Sequence, residues 1–294
     1  MKSRKVVIWG HSLHSHTHSY IHYAFYRAFN HLGHETYWFD SIADVNLDLS
    51  GALFIVEGQV DGNIPLLKDC KYLLHNCNLE KYQDANVDFK VLQVYSNDVL
   101  DRDVEKIHEC EYYQPSIKTL YQPWATDLLP HEFEKYPLIT NFSGKNNINW
   151  VGSVMGGLHG NINELRDYAN VAAVNGASFQ VHNNAEPAQA IQLIRDSYMA
   201  PALQGAWQVE NGYVPCRIFK NISYGHLGAT NSETVYKLYD ELITFSANSG
   251  MLFHEMKNDI NNFDVDKAES IRAMTREKHT YVNRIKNIID IMEI

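Results

Sequence analysis

The chain of 294 residues has no surplus of positive charge. Its 25 Lys and Arg stand against 35 Asp and Glu, for a formal net charge of −10. A nucleic-acid footprint needs clustered excess cations, so no nucleic-acid partner is expected, and a few locally placed cations must meet any phosphate-bearing ligand. Cysteine is scarce. Cys70, Cys77, Cys110 and Cys216 include no close pair at zinc-site spacing and no disulfide framework, which predicts reduced thiols and a cytoplasmic location. No run of about eighteen apolar residues exists for a membrane-spanning helix. The apolar stretch after Met-Lys-Ser-Arg-Lys is too short for a signal peptide, so membrane association is expected to be peripheral at most. Internal repeats and low-complexity tracts are also missing.

What remains is an alternation of short apolar strands and helices. Lys5 to Trp9 reads as a buried strand ending at Gly10. A helix follows from about Ser19, with Ile21, Ala24, Phe25, Ala28, Phe29 and Leu32 on one face. Further strands are expected near residues 36–39, 52–56, 71–74, 89–94 and 119–121. That pattern implies a parallel sheet covered on both faces, with ligands outside the carboxyl ends of the strands. Pro123, Pro130, Pro137 and Gly144 mark a boundary, after which Asn149 to Ser153 restarts the pattern. The predicted domains are 1–145 and 146–262, followed by an amphipathic helix in 263–294 carrying Tyr281, Ile285, Ile288 and Met292.

Gly212 to Thr230 is the densest motif. Pro215 suits a first helical turn, and Ile218, Phe219 and Ile222 form an apolar stripe that Gly225 terminates. Leu227 to Ala229 reads as a strand, and Thr230 with Glu233 as a capping box. Arg217, Lys220, Asn221 and Tyr224 recur on the remaining face. Two cations beside a helix N-terminus suit a diphosphate. Gly205 to Gly212 reads as a loop leading into this motif.

The segment Val214-Pro215-Cys216-Arg217-Ile218-Phe219 resembles the donor-binding segment of GT-B glycosyltransferases of the spore-maturation and exostosin types. Tyr213, Arg217, Phe219, Lys220 and Asn221 also align with the α1,3-fucosyltransferase donor motif. Tyr121 to Asp127 and Val151-Gly152-Ser153 resemble the GT-B linker entry and first donor-domain strand. Two departures stand out: Lys220 occupies the position of a ribose-binding Glu in many retaining members, and Cys216 that of the fucosyltransferase Glu. The resemblance implies an α/β GT-B fold, with two Rossmann-like parallel-sheet domains facing a cleft and the last helix packing back on the N-terminal domain. It implies transfer of a sugar from a UDP- or GDP-linked donor, held by the second domain, to a hydroxyl of a glycan or glycoconjugate held by the first. No cofactor or metal is expected, and an inverting course is favoured. Donor contacts would come from Gly152, Ser153, Gln208, Glu210, Tyr213, Val214, Pro215, Arg217, Lys220 and Asn221.

Inverting transfer needs a base for the acceptor proton. The run His11-Ser-Leu-His14-Ser-His16-Thr-His18-Ser-Tyr20 follows the first strand, and His titrates near neutrality. His16 and His18 are the candidate bases there, with His11, His14 and Tyr20 as acceptor-binding groups. Glu57, ending a strand before Gly58, is the rival, and Asp127 ranks below it. Alternating histidines could also chelate a divalent ion, but no carboxylate or cysteine cluster lies nearby in sequence to complete a site. Asp101-Arg102-Asp103 mimics a metal motif within a charged run and reads as surface. Two other readings remain open: a glycan- or nucleotide-binding protein of the same fold without catalysis, and a metal-dependent hydrolase built on the histidines.

Overall fold

The computed structural model describes residues 5–13, 18–100, 104–108 and 110–294. The chain divides into two compact units. Pro130–Thr280 forms one, and the residues up to Leu129 together with Tyr281–Ile294 form the other.

The first unit is built on β1 (Lys5–Trp9), α1 (His18–His31), β2 (Glu35–Phe39), β3 (Leu53–Glu57), β4 (Lys71–His75), α2 (Leu79–Asp84), β5 (Asp88–Gln93), β6 (Glu105–His108), β7 (Glu111–Gln114) and β8 (Thr119–Tyr121). These strands form an eight-stranded sheet in the order β2-β1-β3-β4-β5-β8-β7-β6. β1 to β5 and β8 run parallel, and the β6–β7 hairpin adds an antiparallel edge. The near-continuous apolar runs of β1 and β3 are those of strands covered on both faces. Trp9, Phe54 and Tyr72 pack in the core on one side of this sheet. α1 buries Ile21, Ala24, Phe25, Ala28 and Phe29, the stripe its spacing predicts.

In the second unit come β9 (Asn147–Val151), α3 (Ile162–Val174), β10 (Ser178–His182), α4 (Pro187–Asp196), α5 (Ala206–Glu210), α6 (Cys216–Ser223), β11 (Ala229–Thr230), α7 (Glu233–Leu238), β12 (Thr244–Phe245), α8 (Ser249–Asn261) and α9 (Val265–Lys278). β9 pairs in parallel with β10, and β11 with β12. Residues 198–203 form no regular strand but an extended segment that links the two pairs. Tyr198 N donates to Asn147 O at 2.7 Å, and Ala202 bridges Thr230 in parallel.

Three local expectations change. Residues 206–210 are helical rather than loop, because Gln208 Oε1 accepts the Gly205 N–H at 3.2 Å and fixes the first turn. The strand after α6 shrinks to Ala229–Thr230. Thr230 belongs to that strand, so Ser232, not Thr230, is the residue preceding α7, and the capping box does not form.

The chain ends in α10 (Tyr281–Met292), which returns to the first unit. Ile285, Ile288 and Met292 are fully buried, and Phe25 of α1 meets Tyr281 edge-on at 5.1 Å. This is the packing of the last helix on the N-terminal domain that the resemblance implied.

Candidate functional site

In the first unit, β1 has β2 on one side and β3 on the other, so the strand order reverses between β1 and β3. In an open parallel sheet that switch point, at the carboxyl ends of the strands, is where ligands bind. The residues placed there are His11 beyond β1, Glu57 ending β3 and His75 ending β4. Glu57 and His75 are register partners. Gly58 is required next to them, because a Cβ would lie 2.0 Å from the Asn76 carbonyl oxygen.

His11 Nε2 and Glu57 Oε2 are 2.7 Å apart, both side chains being almost completely buried. Glu57 Oε2 also accepts the Gln59 N–H at 3.0 Å. Around this pair the rings pack in series: His22 against His11 at 5.3 Å, His18 against His11 at 5.5 Å, and His75 against His18 at 5.5 Å. Trp124 meets His75 edge-on at 5.1 Å. His22 and His75 bond through Nδ1 to the carbonyls of Gly10 and Leu92. Burial pushes the pKa of His22 down to about 4 and lowers that of His75 as well. His18, His22, Glu57, His75 and Trp124 border a small cavity in this unit.

Of the residues expected here, the structure thus brings His11, His18 and Glu57 together. Tyr20 is half-buried on the first turn of α1. His14 and His16, and also Asp101 and Asp103, lie outside the described residues. Asp127 sits apart, its carbonyl accepting from Arg27 at 3.0 Å. Sequence reasoning passed over His22 and His75. His75 carried a usable signal, since it closes a buried strand on the ligand edge. His22 follows the histidine run and was assigned no role.

In the second unit the corresponding edge holds Gly152 and Ser153 after β9, Gln204 after the extended segment, and Asn231 and Ser232 after β11. Arg217, in the first turn of α6, reaches this edge. Its guanidinium donates to Val151 O at 2.7 Å and lies 3.5 Å from the centroid of the Trp150 ring. Burial lowers its pKa to about 10, which leaves it charged at neutral pH. Gly152 has φ +122, and a Cβ there would lie 2.6 Å from an Arg217 nitrogen, so glycine makes room for the cation. Ser153 is exposed, and its carbonyl accepts from Trp150 Nε1 at 3.4 Å.

Val214 and Pro215 are buried where the chain enters α6. Lys220 is half-buried. Asn221 and Tyr224 are not part of an open face: both are 2% exposed, and Asn221 Nδ2 donates to Ala200 O at 2.7 Å. Glu210 is exposed at the end of α5, while Gln208 is used in its cap. Tyr213 lends its carbonyl to Gln204 Nε2 at 2.6 Å.

Gln204 and Ser232 had no signal in the sequence. Asn231 clasps the Gln204 backbone, accepting from its N–H at 2.9 Å and donating to its carbonyl at 2.8 Å. Yet Gln204 Oε1 and Ser232 Oγ are buried with no hydrogen-bond partner. Each such group costs about 1–3 kcal/mol unless something satisfies it. Two orphaned groups on the ligand edge are what a polar ligand would complete.

No helix among the described residues is long and apolar enough to cross a membrane. No family model matches the chain, and no curated protein matches it in sequence. Solved structures do match its fold. An alpha-glucosyltransferase in complex with UDP-glucose and DNA containing an abasic site aligns at TM-score 0.62 and 7% identity, over 99% of each chain. An alpha-glucosyltransferase in complex with UDP and a 13-mer DNA containing a HMU base aligns at TM-score 0.63 and 8% identity, over 99% of this chain and 100% of that one. A glycosyltransferase from Rickettsia africae ESF-5 aligns at TM-score 0.52 and 12% identity, over 100% of this chain and 99% of that one. The fold is therefore the GT-B glycosyltransferase fold that the donor-motif resemblance implied. The exclusion of nucleic acid, drawn from net charge, is corrected by the same finding, because proteins of this fold carry DNA. Net charge sums over the whole surface and is blind to where individual cations stand.

Proposed function

We propose that this chain is a glycosyltransferase that moves a sugar from a UDP-linked donor to a hydroxyl group on DNA. The observation that carries the reading is the end-to-end match to alpha-glucosyltransferases holding UDP or UDP-glucose together with DNA. UDP is preferred to GDP because those neighbours hold uridine nucleotides. The second unit would take the donor. Arg217 and the N-terminal turn of α6 would meet the diphosphate and stabilise the charge that develops on it as the glycosidic bond breaks. Gln204 Oε1 and Ser232 Oγ would be satisfied by polar groups of the nucleotide.

The first unit would take the acceptor. A base inside duplex DNA must be turned out of the stack before its substituents can react, and it then stacks on aromatic groups. The half-buried His18 would offer such a surface, backed by the buried rings of His75 and Trp124. Glu57 would hold the His11 ring, and the pair would take the acceptor proton as the anomeric carbon is attacked, with His18 beside them. An inverting course would use such a base directly, with attack on the anomeric carbon opposite the departing diphosphate. A cytoplasmic location belongs to the same reading, supported by the small number and wide spacing of its cysteines.

The test is transfer of labelled glucose from UDP-glucose to duplex DNA with and without an HMU base, alongside thermal shifts with UDP and GDP. Incorporation only into the hydroxyl-bearing duplex, with stabilisation by UDP, is expected. The anomeric configuration of the product reports the stereochemical course. Arg217→Ala should weaken UDP binding by about tenfold or more, the worth of a charged hydrogen bond. Wild-type affinity in that variant would remove Arg217 from the donor site.

A further inference from the structure

The turn after β1 and the end of β3 gather more ligating atoms than a proton acceptor needs. One ring nitrogen each from His11 and His18 and a carboxylate oxygen of Glu57 all lie within 4.8 Å of one another. We propose that His11, His18 and Glu57 bind a divalent transition-metal ion of the zinc class in the first unit.

Two imidazoles and one carboxylate make a donor set of zinc-type sites that keep a coordination position open. On binding, the 2.7 Å contact between His11 and Glu57 would open and His18 would close on the ion. The electrostatics of Glu57 point the same way. It is 2% exposed, and among the described residues its ion-pairing partner is His11. Among the described residues no Lys or Arg side chain pairs with this buried carboxylate to supply a permanent cation. A bound cation provides one, and the proton between His11 Nε2 and Glu57 Oε2 leaves to solvent.

A supporting layer is already in place. The Gln59 N–H steadies the carboxylate at 3.0 Å. The flanking His22 and His75 are fixed by Nδ1 bonds to backbone carbonyls at 2.9 and 3.0 Å. Such outer contacts orient metal sites. The sequence suggested no metal because no carboxylate lies near the histidine run, yet Glu57 arrives from 46 residues away. An ion here would acidify a coordinated hydroxyl, and in the metal-bound form that would replace proton removal by the His11–Glu57 pair. The inference involves the first unit alone and does not rest on the sugar-transfer reading.

The test is titration of the tag-free, chelator-treated full chain with Co²⁺, followed by visible absorption. Saturation at one ion per chain, with displacement by Zn²⁺, is expected. His18→Ala and Glu57→Gln should each weaken binding by about tenfold or more. His18→Ala changes a half-buried position and should keep the fold, which guards against loss through unfolding in Glu57→Gln. Absence of saturable binding overturns the proposal. So does binding that survives in His18→Ala but is lost when His14 and His16 are both replaced by alanine. A UDP thermal shift on the same samples reports the donor site separately, so a chain that binds UDP but no Co²⁺ rejects the metal and leaves the donor reading standing.

Discussion

Gly152 carries two constraints at once: a φ of +122 that side chains rarely adopt, and an Arg217 nitrogen 2.6 Å from where a Cβ would stand. Gly152→Ala must strain the turn or expel the guanidinium from the Trp150 face. Backbone strain of this kind costs on the order of 1–3 kcal/mol. The variant is therefore expected to melt at a lower temperature and bind UDP more weakly, and unchanged values in both assays would contradict the geometry. His226 makes a second local prediction. Burial lowers its pKa to about 4, and its ring bonds to Ser197 O at 3.2 Å. With the folded pKa below the unfolded one, its stability contribution is complete above about pH 6.5 and is lost as pH falls towards about 4. The whole effect is on the order of 3 kcal/mol, so His226→Gln should flatten this part of the stability–pH curve. An equally steep acid limb in the variant would assign it to other groups.

Secondary elements were legible where burial is periodic. β1 and β8 begin and end where the apolar pattern does, and α1 buries the stripe its spacing marks. The β6–β7 hairpin was not legible, because Glu-Lys-Ile-His and Glu-Tyr-Tyr-Gln have no alternating apolar face. What holds it in place is distant in the chain. Glu111 is fully buried and accepts from Arg284 of α10 at 2.6 Å, across a separation of 173 residues. Gln122 and Asn287 also donate to its carboxylate, at 2.5 and 2.8 Å. No local pattern announces a buried ion pair whose halves lie so far apart. The candidate site divides the same way: the donor motif and Glu57 could be read from neighbours in sequence, whereas Gln204 and Ser232 acquire meaning through strand order. The pair also makes α10 integral to the first unit. Arg284→Ala leaves a buried carboxylate unpaired and should cost about 3–5 kcal/mol of stability. Replacing both partners with apolar residues of similar volume should cost less than the single change. A double variant no more stable than Arg284→Ala would mean that the pair contributes more than charge compensation.

Net charge and the proposed acceptor pull in opposite directions across the whole molecule. An excess of ten acidic side chains disfavours general adhesion to DNA, so binding must rest on a few placed cations. Counterion release makes this measurable, because the slope of log affinity against log salt is about −0.9 for each phosphate neutralised. With roughly three phosphates engaged, affinity should fall about fortyfold between roughly 50 and 200 mM salt. A broadly basic binder with 6 to 10 contacts loses on the order of a thousandfold or more over the same interval. Affinity for an HMU-containing duplex, measured by fluorescence anisotropy across that range, separates the two regimes. A steep slope would show that clustered Lys and Arg outweigh the overall acidity. A shallow slope with clear preference for the HMU duplex would support recognition at the acceptor site proposed around His11 and Glu57.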